Sequence, residues 1–133
     1  MLHSTSTDIA GRIEDLYGAP LADLKAHVRD QPLDMLSALL GMHDDLALAE
    51  RSIGFHRDRL ARLIHPERQI GPHDVSHLLD GTRRLAEAVA VHEVQAKTVV
   101  AVLQSLAPIP APAAPSPPVP APPLAAPSPA HSR

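Results

Sequence analysis

No cysteine and no tryptophan occur in this chain of 133 residues, and its aromatic rings are limited to Tyr17 and Phe55, histidines aside. The missing thiol excludes disulfides, thiolate catalysis and cysteine-ligated zinc. With so few rings, the core must be filled by Leu, Ile, Val and Ala, which suits close helix–helix contact better than a cofactor pocket. Long apolar runs are missing as well. The longest, Val99 to Leu103, is far short of the ~20 residues that a membrane span needs. Met1 to Gly11 has no basic stretch leading into an apolar one, the pattern of a secretory signal. These absences predict a soluble, cytoplasmic protein with no membrane partner. Glycine-rich phosphate loops and Gly-x-Ser-x-Gly elbows are also lacking, so no enzyme and no cofactor are expected.

Charge of one sign does not dominate. Twelve basic and fifteen acidic residues leave a net charge of −3, too mildly acidic for a general attraction to nucleic acid or an anionic membrane. The composition changes abruptly after Leu106. Residues 107–133 hold 11 of the 15 prolines and no glycine, a density that favours extended polyproline II and forbids a packed core. The expected organisation is a folded unit over 1–106 and a Pro/Ala-rich disordered tail over 107–133. PxxP spacings such as Pro112 to Pro115 and Pro120 to Pro123 lack a flanking basic residue, which favours a spacer over a docking motif.

What is present is helical periodicity. Two long helices, about 32–64 and 72–106, are predicted on either side of a turn containing His65-Pro66 and Gly71-Pro72. Asp30-Gln31-Pro32 offers a start for the first. Its central row is Leu39, Leu46, Ile53 and Leu60, with Leu33, Leu40, Ala47, Gly54 and Ala61 on one flank and Met35, Met42, Ala49 and Leu63 on the other. Asp44, Asp45, Arg51, Ser52, Asp58 and Arg59 lie opposite. The second helix shows a heptad-like seam of Val75, Leu78, Leu85, Val89, Val99, Leu103 and Leu106. Before the hairpin, residues 1–6 lack periodicity and are expected to fray. Thr7 or Asp8 could cap a short helix ending at Gly18, and Pro20 could open another carrying Leu21, Leu24 and Val28. The fold class is therefore all-α: a long antiparallel hairpin with one or two short helices packed on it.

An apolar arc as wide as that of the first long helix implies two neighbours. One is the second long helix; the other is the N-terminal pair or a second copy of the chain. Val91, Val94, Ala101 and Val102 lie off the seam of the second helix and also favour self-association. The expected partner is thus a second copy, in a homodimer, or another helical protein, and the expected role a non-catalytic interaction or scaffold module.

Three polar groups are candidates for more than that. Folding the hairpin at residues 65–72 sets His43, Glu50 and Arg57 against Thr82 and His92, forming a buried polar layer that fixes helix register or, with a carboxylate between imidazoles, holds a metal or responds to pH. His65, His73 and His77 gather at the turn, where His73 and His77 have a chelating i, i+4 spacing and Glu67 could add an oxygen. Finally, residues 51–84 carry a net charge of +3, residues 1–50 a net of −6 and residues 85–106 a net of −1. The turn end is therefore expected to be basic. Arg59, Arg62, Arg68, Arg83 and Arg84 form a candidate anion-contacting tip, although no aromatic stacking platform accompanies them.

Overall fold

The computed structural model describes residues 4–30 and 33–107, and among them it shows four helices and no strand. They are α1 (Ser6–Tyr17), α2 (Leu21–Val28), α3 (Met35–Leu63) and α4 (Pro72–Leu106). The fold is all-α, as the periodicity predicts: α3 and α4 form the antiparallel hairpin, and α1 and α2 pack on it. Gln31, Pro32 and the expected tail beyond Ala107 lie outside the described residues.

Helix boundaries follow local chemistry. Thr5 and Ser6, expected to fray, are instead tied into the start of α1, and residues 1–3 lie outside the described residues. Thr5 is the cap of α1, its hydroxyl accepting from the Asp8 amide at 3.2 Å while the Asp8 carboxylate accepts from the Thr5 amide at 3.0 Å, a reciprocal capping box. Asp8 therefore occupies the third helical position and is not itself the cap. Gly18 ends α1 with φ +70°, a left-handed conformation that glycine adopts at little cost. The cap of α3 is Asp34, not Asp30: its carboxylate accepts from the Ser37 amide at 2.8 Å. This start leaves Leu33 outside the helix and 95% exposed. Pro72 opens α4 as expected, and the Gly71 amide donates to Asp74 at 3.0 Å.

The core sits at the open end of the hairpin. Ile9 and Ile13 of α1 and Leu24 of α2 join Leu36, Leu39, Leu40 and Leu46 of α3 and Ala96, Val99 and Leu103 of α4. The α4 seam differs from the predicted one at two places, because Val75 and Val89 are about half exposed. Val89 precedes Val99 by ten residues, which at 100° per residue swings it about 80° around the helix. Small residues take those places: Gly81 and Ala96 are buried and Ala88 is half-buried, so α4 approaches α3 through glycine and alanine as well as through branched aliphatics.

Candidate functional site

Glu50 is the polar hub of the fold. From the middle of α3 its carboxylate accepts from the Ser6 amide at 2.6 Å, from the Ser6 hydroxyl, and from Nε2 of His92 on α4 at 3.3 Å. One side chain thus joins three helices. The Ser6 contact places a negative charge on the first turn of α1, where unpaired amides and the helix dipole favour it. Burial pushes the Glu50 carboxyl up, but the Ser6 hydroxyl and amide and the His92 ring outweigh it and hold it below its ordinary value. Glu14 does the same for α2, accepting from the Leu21 amide at 2.8 Å.

His43 is also buried, but its Nδ1 turns to Asp44 at 3.1 Å, and Asp44 also meets Lys25 of α2 at 3.0 Å. Burial raises the Asp44 carboxyl, and the Lys25 and His43 contacts more than reverse that. Of the expected buried layer, then, His43, Glu50 and His92 are shielded. Arg57 and Thr82 are not: both lie on the surface. Thr82 precedes His92 by ten residues and so faces about 80° away from it, and its hydroxyl donates to the Leu78 carbonyl at 2.8 Å. Arg57 lies where no third helix covers the hairpin.

At the turn end only two of the three histidines come together. The rings of His73 and His77 meet edge to face, with centroids 5.2 Å apart, while Nδ1 of His65 accepts from the Glu67 amide at 3.2 Å. Among the described residues no group of three or more His, Asp or Glu is arranged to hold a metal ion. The arginines divide in the same way. Arg83 and Arg84 both pair with Asp80, at 2.9 and 2.8 Å, and Arg68 lies 3.5 Å from Asp74. Arg59 and Arg62 are exposed and have no carboxylate partner among the described residues.

The side of the hairpin that α1 and α2 leave uncovered carries a feature that the sequence reading split into a polar face and an off-seam apolar set. Two shallow depressions, of about 230 and 120 Å³, run between α3 and α4. Asp45 and Gln95 border both, with Leu48, Ser52 and Val91 around the larger and Met42, Val94 and Thr98 around the smaller. Leu48, Val91 and Val94 are 59, 50 and 65% exposed. The Oε1 of Gln95 is buried and has no hydrogen-bond partner among the described residues. The sequence places Asp45 only on a polar face and singles out neither Ser6 nor Gln95. For Ser6 a signal was available, since Thr5-x-x-Asp8 has the spacing of a capping box and would have started α1 there.

No protein family, curated protein or solved structure matches this chain in comparisons with all three. Among the described residues no helix is long and apolar enough to cross a membrane.

Proposed function

We propose that the chain is a non-catalytic helical interaction module that associates with itself through the uncovered side of the hairpin, in a cytoplasmic setting. The observation that carries this reading is the groove between α3 and α4, in which Leu48, Val91 and Val94 stand open to water. Three large aliphatic side chains side by side on one face favour association once a matching surface covers them. Hairpins that pair in this way form a four-helix arrangement. Glu50, Ser6 and His92 supply stiffness in this reading: they hold α1 against the opposite side and keep the groove side flat and free. Sedimentation of the full chain from low to high micromolar concentration tests the proposal. A mass that rises towards two copies supports it, and a strict monomer at high micromolar concentration overturns it.

A further inference from the structure

We infer that the second copy lies antiparallel across the groove, with the Arg59 guanidinium of each copy seated between Asp45 and Gln95 of the other. This rests on the self-association proposed above and adds its orientation and its anchoring residue. Asp45, Ser52 and Arg59 fall seven residues apart along α3, two helical turns each, and so form one row on the groove side. Asp45 and Ser52 border the depression, and Arg59 continues the row towards the turn. A two-fold axis through Ser52, at right angles to the helices, turns this row onto itself with its ends exchanged. Asp45 then faces Arg59 twice over, and Leu48 faces the level of Phe55, which is also exposed.

Three independent features fit this seating. Arg59 is a cation with no carboxylate partner among the described residues, and Asp45 is an exposed carboxylate with no ion pair among them. Gln95, on the same level as Asp45, has a carbonyl oxygen that no group among the described residues satisfies and that a rotation of its amide would bring to the groove surface. A guanidinium carries five donors in a flat fork, enough to serve a carboxylate and an amide oxygen together. The third feature is long-range charge. Residues 51–84 are net positive and residues 1–50 net negative, so antiparallel seating lays each basic turn end over an acidic open end. The alternative two-fold, along the helices, brings both basic ends together and is opposed by like-charge repulsion.

The test uses the full chain. Arg59→Asp and Asp45→Arg should each raise the dimer dissociation constant roughly tenfold at low salt, since two attractive surface pairs become repulsive, and added salt should shrink the difference. The double variant D45R/R59D should regain most of the loss. Because the protein has no cysteine, Ser52→Cys introduces a single thiol, which should join two copies by a disulfide on mild oxidation, whereas Asp45→Cys, whose two copies would stand about 20 Å apart, should not. Circular dichroism confirms that each variant remains helical. A dimer indifferent to both charge reversals, with Ser52→Cys left unlinked, overturns the antiparallel seating and leaves self-association standing. A wild-type chain that never dimerises overturns both.

Discussion

At the open end of the hairpin, where α1 and α2 lie across α3 and α4, Ile9, Ile13, Leu39, Leu46 and Val99 are wholly shielded from water. At the turn end only Gly81 is buried; Ile53, Leu60, Leu78 and Leu85 are half covered, and Phe55, Ile64, Ile70 and Leu79 stand exposed. The polar contacts divide along the same line. Glu50, Glu14 and Asp44 tie separate helices together at the open end and its border, whereas Asp80 joins Arg83 and Arg84 within a single helix. A third layer makes the difference. Two helices alone enclose a side chain less completely than three, so the same kind of aliphatic row is a core where α1 and α2 cover it and only a seam where they do not. Stability should therefore be graded along the rod, with local opening beginning at the turn.

Truncating one residue at each end tests that gradient most severely. Leu46→Ala removes a fully buried side chain from a well-packed core and should cost about 3 kcal/mol. Leu60→Ala, near the turn, should cost less, about 1–2 kcal/mol, because part of that side chain already reaches water. Urea unfolding midpoints would show the contrast, and equal losses at the two positions would refute it.

The next largest effect concerns what holds α1 in place. Glu50→Ala leaves the Ser6 amide and hydroxyl and the His92 ring without their shared acceptor, a loss of about 1–3 kcal/mol. It should appear first as faster amide exchange in α1 while α4 remains protected. The same contact has a pH signature. Its carboxyl sits below the ordinary value of 4.5 in the folded chain, so its stabilisation is fully present above that pH and is lost as pH falls through the lower folded-state value. Acidification below about pH 4.5 should therefore release α1 in the wild type, and Glu50→Gln should flatten that dependence.

Gly18→Ala probes the hinge between the two covering helices. The left-handed φ there costs an alanine about 1 kcal/mol, and nothing within 4 Å of the added methyl compensates. The loss should be confined to α1 and α2, leaving the turn end as it was.

The hairpin, its turn and the all-α class were legible in the sequence because a heptad-like spacing and the two prolines of the turn are local signals. The burial gradient was not, because it depends on where α1 and α2 come to rest, and nothing in α3 distinguishes Leu46 from Leu60 by spacing. The seam of α4 departs from the heptad-like spacing at Val75 and Val89 because Gly81, Ala88 and Ala96, too small to mark a seam by hydropathy, supply the contact. The meeting of Glu50 and His92 follows from the register, since antiparallel folding about residues 65–72 fixes which levels meet, whereas His43 is shielded but pairs with Asp44. Arg57 and Thr82 were assigned by the same register and are exposed, since register sets a level along the rod and neither the angle about the helix nor the presence of a covering layer. Ser6 escaped notice because its partner is 44 positions away.

Gly81 sharpens the comparison by reversing the sign of the effect. It is the one buried residue of the turn end, and a glycine in such a place suggests that the helices touch there too closely for a side chain. The geometry says otherwise. A methyl group added to Gly81 would lie 3.5 Å from Cδ1 of Leu60, an ordinary van der Waals contact, while the backbone there is regular helix. Alanine loses less conformational freedom than glycine on entering a helix, so Gly81→Ala should stabilise the chain by about 0.5–1 kcal/mol. The gain should be local, slowing amide exchange between residues 75 and 88 more than at the open end. If Gly81→Ala instead destabilised the chain, the turn end would have to be a tightly closed interface, and the gradient drawn from α1 and α2 would have the wrong cause.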